Sequence, residues 1–454
     1  MILSIFDRRS ATARTAFVLL AVCLAATIAF GQSDGSQQNK TGRPGTFAIV
    51  GARIYTVSGD VIENGTIVIR DGKIAGVGSG VAVPSGAERI DGKGLSVFPG
   101  MIDANTQLGL AEIPLGAGAT VDAAEIGSMN ANAKAITGIN PHSSHVNVTR
   151  VNGITSVFTA PSGGLIAGQG ALINLNGSTQ AEMAVEPTAA LIINFPRIAT
   201  FGGFTPGVGP QIVEFNDAIK RRDAQLDELK KIFTSVENYA RAQEAYAKDN
   251  SLPYPAKDIR LEAMVPYVRG MKPIMFTAER ERDIRAVVKF VSETKVKGII
   301  AGGQEAWRVA ADLKKNDIAV IYTNIYNLPV RDDDPYDYLF EAPSKLQLAG
   351  VSFAISTGND GAEVRDLPYH AGLAGAYGLP KDEALKAVTL YPARILGVSD
   401  RLGSLETGKV ANVVVADGDI LEPRTNIKYV FINGRMLPLT SRHTELFDSF
   451  KDRK

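Results

Sequence analysis

Few side chains in this sequence can do metal or acid–base chemistry. The 454 residues include four histidines and one cysteine. His142 and His145 stand three apart in "HSSH", a spacing that can bring two imidazoles to one ion. That run follows Pro141 in a loop, which suits two surface histidines better than a metal pair. Asp366 and His370 in "DLPYH" are four apart, so a helix would put them on one face. His443 has no supporting context. The run "SGGLIAGQG" (162–170) lacks the lysine of a phosphate-binding loop, and its glycines suit close backbone packing. No Ser–His pairing stands out.

Cys23 lies in an apolar run, "AFVLLAVCLAATIAF" (16–30), preceded by Arg8, Arg9 and Arg14. Fifteen apolar residues fall short of the ~20 needed to span a bilayer. A basic start, an apolar stretch and Ala29-Phe30-Gly31 together read as a signal peptide over 1–31. A retained anchor, or a lipid on Cys23, is the weaker reading, because Val22 suits a lipoprotein box poorly. Cleavage after Gly31 leaves 45 basic and 47 acidic residues and no cysteine. Disulfides and thiolate chemistry are then excluded, and nothing favours nucleic acid or an anionic membrane. An exported, periplasmic or secreted protein is expected, without membrane attachment once the signal is removed.

The elements that must position any site follow from patterning. Residues 32–45 are polar and Gly-rich, a linker. From 46 to 98, β-type runs are punctuated by Asn64-Gly65, Asp71-Gly72 and Asp91-Gly92, pairs that supply tight hairpin turns. The signature returns over 401–437, with Asp417-Gly418 and Asn433-Gly434. One small composite β domain built from both ends is expected, followed by a C-terminal tail at 438–454. Between them, continuous apolar runs at 97–104, 153–159, 189–195, 273–278, 297–301, 318–323 and 351–357 read as parallel strands buried on both faces. Helical spacing marks 214–248, 280–293, 304–315 and 381–391. Alternation of this kind over 99–400 predicts a (β/α) barrel, with an eighth strand hidden in 165–175.

These stretches also carry a likeness. "FPGMIDANTQLGL" (98–110), "GITSVFTAPSGGLIAGQGALI" (153–173), "STGNDGAEVRDLPYHAGLAGAYGLP" (356–380), "ALKAVTLYPARILGV" (384–398) and "DRLGSLETGKVANVVVADGD" (400–419) resemble the amidohydrolase superfamily, nearest its imidazolonepropionase-like exported branch. The resemblance implies a (β/α)8 TIM-type barrel with a β-sandwich made from both ends of the chain. It also implies hydrolysis of carbon–nitrogen bonds other than ordinary peptides. In that family, histidines and carboxylates at the strand ends hold divalent metal, zinc for example, which activates a water.

Laid on this sequence, the family's ligand positions fall on Asn105 and Gln107, Thr277, Gln304 and Asn359, with Asn194 as a candidate for the fourth-strand position. Neutral amides and a hydroxyl are weak zinc ligands, so no metal cofactor is expected. Such a ring could instead bind a small polar ligand. Asp360 adjoins the family's general-base position and is the candidate for metal-independent catalysis. Glu279, Arg280 and Arg365 are candidates for holding a carboxylate substrate. Three readings therefore stand: a carbon–nitrogen hydrolase, a catalytically inactive barrel that binds a ligand or a related subunit, and a metal-independent hydrolase using Asp360. Homo-oligomeric assembly stays open. For export, N-terminal sequencing of the extracytoplasmic fraction is expected to give a start at or near Gln32; intact residues 1–31 would contradict the signal peptide.

Overall fold

The computed structural model describes residues 41–113, 118–205, 209–323, 325–329, 331, 333–358 and 360–453. The signal segment 1–31, most of the linker and Asn359 lie outside the described residues. The rest belongs to one compact unit built on two large sheets.

The first sheet joins the two ends of the chain. Its strands are β1 (Phe47–Tyr55), β2 (Val61–Arg70), β3 (Lys73–Gly78), β4 (Glu88–Asp91), β5 (Ser96–Pro99), β16 (Val413–Ala416), β17 (Ile427–Ile432) and β18 (Arg435–Met436). They run in the order β18-β17-β16-β5-β1-β2-β3, with β4 also on β1. The join is antiparallel, Phe98 opposite Val414. Alternation along β16 serves two cores. Val413 and Val415 meet Phe47, Ile67 and Phe431 on one face, while Val414 and Ala416 face the main core.

Two of the five Asn/Asp-Gly pairs make hairpin turns with φ positive at both residues. These are Asp71-Gly72 (φ 53° and 78°) and Asn433-Gly434 (53° and 69°). The two turns pack backbone to backbone; a Cβ on Gly434 would lie 2.6 Å from the Gly72 Cα. The other pairs do different work. Asn64 (φ 50°) sits inside β2 where the register with β1 slips, a bulge and not a turn. Asp91 ends β4, and Asp417 opens a longer loop closed by Asn426, whose N–H donates to its carboxylate at 2.8 Å.

The second sheet is a nearly closed barrel. It comprises β6 (Met101–Thr106), β7 (Ile154–Thr159), β8 (Ile166–Asn174), β9 (Ala184–Asn194), β12 (Ile274–Ala278), β13 (Gly298–Gly302), β14 (Ala319–Tyr322) and β15 (Phe353–Ile355). A separate ribbon, β10 (Phe201–Thr205) with β11 (Gly209–Ile212), lies between β9 and β12 in sequence. Ile192, Met275, Ile299, Ile321 and Ala354 fill the interior. Their neighbours Ile193, Phe276, Ile300, Val320 and Phe353 pack outward against helices. The helix Phe215–Lys248 contributes Leu229, Phe233, Val236 and Ala240 to that layer, and Glu281–Thr294 contributes Ile284, Val287 and Val291.

The barrel corrects the sequence reading in three places. The run 97–104 is two strands in two sheets, parted at Gly100, where any side chain would collide with Thr155. The eighth strand is present as β8, but it runs antiparallel to both β7 and β9. Only residues 160–165 join β7 to β8, and a parallel return needs a dozen or more. The stretch 381–391 is two helices, Lys381–Ala387 and Leu390–Ile395, and the tail contains a third, Arg442–Phe450.

β6 and β15 are the ends of the barrel order, and no strand pairing joins them among the described residues. Asp103 of β6 crosses that seam. Its fully buried carboxylate accepts from the Ser356 hydroxyl, from Thr357 Oγ1 at 2.6 Å and from Thr357 N at 3.2 Å. The Asn105 N–H adds a bond at 3.3 Å. Burial pushes the Asp103 pKa up to about 6, and these donors limit the rise. Replacing Asp103 by Ala strands the buried N–H and hydroxyl of Thr357, while the Ser356 hydroxyl keeps the Asn105 carbonyl at 3.1 Å. That should cost about 3 kcal/mol in chemical denaturation, with Asp103→Asn costing less because one acceptor oxygen stays. An unchanged denaturation midpoint in Asp103→Ala would show that the seam is held some other way.

Candidate functional site

The C-terminal ends of barrel strands are where this architecture presents functional groups. Here that end is a layer of buried polar residues. Asn105, Gln304, Thr323, Ser356 and Thr357 are each less than a tenth exposed. Asn105 is pinned through its backbone, its carbonyl accepting from Ser356 Oγ at 3.1 Å. Gln107, half-buried beyond β6, accepts through its carbonyl from Leu110 N at 2.9 Å and so caps a turn. Leu108 folds back over the layer, its carbonyl accepting from Thr159 Oγ1 at 2.9 Å.

Thr277 and Asn194 are register partners on β12 and β9. Thr277 Oγ1 donates to Asn194 Oδ1 at 3.2 Å, and Asn194 Nδ2 donates to the carbonyls of Gly163 and Gly164 at 3.2 and 2.9 Å. Both glycines have positive φ (81° and 63°), as the tight return into the reversed strand requires. The amide of Asn194 therefore holds the β7–β8 turn onto the mouth.

The donors at the family's ligand positions do not fit a divalent metal. Asn105, Gln107, Thr277 and Gln304 supply amides and a hydroxyl, with no imidazole and no anion to balance the ion's charge. Asp103 is consumed by the seam. Among the described residues no group of three or more His, Cys, Asp or Glu comes together as a metal site. His145 Nε2 lies 3.1 Å from the Glu112 carbonyl, and His142 is exposed. His370 is buried edge-on against Tyr326, their ring centroids 4.5 Å apart, and burial pushes its pKa down to about 4.

One carboxyl at the mouth has no hydrogen bond or ion pair to another side chain among the described residues. Glu279 follows β12 and lines a cavity of about 490 Å³ with Asn194, Arg197, Thr277, Arg280 and Asp283. Burial pushes its pKa up to about 7. The Gln304 N–H, which donates to Glu279 Oε2 at 3.3 Å, and the charge of Arg197 act in the opposite sense. Room for this carboxylate comes from Gly302 (φ 109°), where a Cβ would collide with it. A carboxyl that changes charge near neutrality in a cleft is suited to proton transfer.

Of the residues singled out from sequence, the structure brings Asn194, Thr277, Glu279 and Arg280 to one cavity, with Gln304 behind Glu279. Asp360 is exposed in a turn, its carboxylate accepting from Ala362 N at 2.8 Å. Arg365 lies elsewhere, beside Asp366 at 3.6 Å, with its carbonyl on Asn152. Arg197 and Asp283 were missed. Arg197 had no signal beyond its place in a Pro-led loop after β9, and Asp283 was hidden in the charged run "ERERD" (279–283).

Comparison with known proteins agrees with this architecture. Residues 333–437 match the amidohydrolase family. N-acetylglucosamine-6-phosphate deacetylase of Haemophilus influenzae is 40% identical over 57 residues, 13% of this chain and 14% of that protein. Amidohydrolase tasK of Hapsidospora irregularis is 23% identical over 398 residues, 83% of this chain. The chain thus spans 14% and 39% of the lengths of these two relatives. The crystal structure of an amidohydrolase from Thermotoga maritima superposes with a TM-score of 0.75 at 25% identity, covering 87% of this chain and all of that one.

The metal prediction follows from the donor set. Protein stripped by chelator and reloaded with zinc should hold far less than one ion per chain, and Asn105→His with Gln107→His should not change that. Near-stoichiometric zinc in the reloaded wild type, measured by elemental analysis, would overturn the reading. Residues 333–437, which take in the last barrel strand and the last strands of the first sheet, are similar to the amidohydrolase family, and the solved structures that resemble most of the chain include an amidohydrolase.

Proposed function

We propose that this protein is a hydrolase of non-peptide carbon–nitrogen bonds that works without a histidine-held metal, with Glu279 as its proton-transfer group. It stands nearest the imidazolonepropionase-like branch and is exported, on the evidence of the N-terminal pattern. The observation that carries the catalytic reading is the Glu279 carboxyl, with a pKa of about 7, in a cavity it shares with Arg197 and Arg280.

In the ionised form Glu279 takes a proton from a water as the water oxygen bonds to the substrate carbonyl carbon. Arg197 offsets the negative charge that forms on the carbonyl oxygen. Glu279 then returns the proton to the leaving nitrogen as the carbon–nitrogen bond breaks, giving an acid and an amine. Thr277 and Asn194 line the same cavity; with the Asn194 amide taken up by Thr277 and the Gly163 and Gly164 carbonyls, the contact left for a substrate N–H is the Thr277 hydroxyl oxygen as acceptor.

A second reading, a barrel that binds a polar ligand or a related subunit without turnover, is favoured by the engagement of Asn194 with Thr277 and the Gly163–Gly164 turn. Turnover separates the two. Metal-stripped protein should hydrolyse members of a panel of N-acyl amino acids, lactams and cyclic imides. As the base must be ionised, kcat/KM should rise as pH passes about 7 and then level off. Glu279→Gln should lower it ~10²–10⁴-fold. Binding without turnover would support the second reading. Activity that vanishes on chelation, or survives intact in Glu279→Gln, would sink the first.

A further inference from the structure

Arg280 stands between two hollows. It lines the Glu279 cavity and also a second one of about 500 Å³, together with Glu281, Arg282, Arg285, Glu305 and Arg331. These residues come from the segments after β12, β13 and β14, so the second hollow opens on the same end of the barrel. Four guanidinium groups face it against two carboxylates, and both carboxylates are engaged. Glu281 accepts from Arg285, whose Nη2 lies 2.9 Å away. Glu305 accepts from the Glu281 N–H at 2.8 Å and lies 3.2 Å from Arg331. Arg285 also reaches Asp312 at 2.8 Å, and Arg282 lies 3.4 Å from Asp283. Arg280 is exposed, and its side chain makes no hydrogen bond or ion pair among the described residues.

We propose that the substrate of the Glu279 cavity carries a carboxylate, held by Arg280 and Arg331 in the adjoining hollow. A guanidinium has five N–H donors in a planar fork, so one ion pair leaves donors free for a second carboxylate. Arg331, about half exposed and, among the described residues, paired through Glu305 alone, has that capacity; Arg280 has all of its own. The arrangement puts a negative arm on one side of Arg280 and the scissile bond on the other, beside Glu279. Such a substrate is an amide, lactam or imide bearing an acid group, as in an N-acyl amino acid with a carboxylate side chain. The inference rests on the proposed reaction site but not on its chemistry.

The test is binding, read by isothermal titration on the full mature chain. The probes are the α-carboxamides of N-acetyl-L-glutamate and N-acetyl-L-glutamine, which carry one negative charge and none at neutral pH and are nearly equal in size. The wild type should prefer the glutamate probe by about tenfold or more at low salt, with the preference shrinking as salt is raised. Arg280→Gln should erase the preference by weakening the acid probe far more than the neutral one, and Arg280→Lys should restore part of it. Arg331→Gln should weaken the acid probe alone; thermal melts identify any variant that has merely lost its fold. Equal binding of the two probes, binding of neither, or a preference untouched by Arg280→Gln would overturn the inference. Glu279→Gln separates this from the hydrolase reading. A charge preference kept without turnover in any protein leaves this inference standing and removes the reaction. Turnover without charge preference does the reverse.

Discussion

A single buried carboxylate stands where a barrel would ordinarily have a ladder of backbone bonds. Asp103 takes the donors of Ser356 and Thr357 across the gap between the first and last barrel strands. The mouth depends on this tie, because the same segments that Asp103 joins carry Asn105 and lead on to Leu108. The ladders of β6 with β7 and of β15 with β14 set the register of each strand, and the seam fixes the two edges against each other. Placing the acid there has a physical cost, seen in its raised pKa, and the hydroxyl and amide donors offset it.

The mouth is held together by hydrogen bonds. In a metallohydrolase, strand ends converge on an ion whose charge organises them. Here Thr277 and Asn194 converge on each other and on a turn of two glycines. A neutral hydrogen bond is weaker than a metal bond, but it needs no counter-charge, and its removal strands only a few groups. The reversed strand is held by the same contacts, since the Asn194 amide donates to the carbonyls of its Gly163–Gly164 return. Glu279 and Arg280 lie beside this network in the same cavity.

Much of the frame was legible in the sequence, because apolar runs of five or six residues can only be buried strands in a chain of this kind. The reversal of β8 was legible in principle, since the six residues between Thr159 and Ile166 cannot make a parallel return. The hairpin signals were harder. Asn64-Gly65 and Asp71-Gly72 look alike as letters, and only the pairing register makes one a bulge and the other a turn. Asp103 lay in plain view, yet its partners are some 250 residues away, beyond any local pattern. The site was read in part. Thr277 and Asn194 do meet, but a likeness could not say that they are spent on each other. Asp360 was favoured for its neighbourhood in sequence, whereas burial, which local sequence does not report, singles out Glu279.

The contact between Gly72 and Gly434 joins a hairpin made early in the chain to one made at its end, and β16 covers β5 in the same sheet. More than 310 residues separate the strands and 362 the glycines, so closing the sheet is among the most non-local steps the chain must take. Until the last segment arrives, β5 has one side without a neighbour, an edge able to pair with another molecule. Synthesis from the N-terminus cannot shorten that wait. Folding of this sheet is therefore a late event, completed only once residues 413–436 are free to pair, and the yield of native protein will depend on keeping that edge covered in the interval.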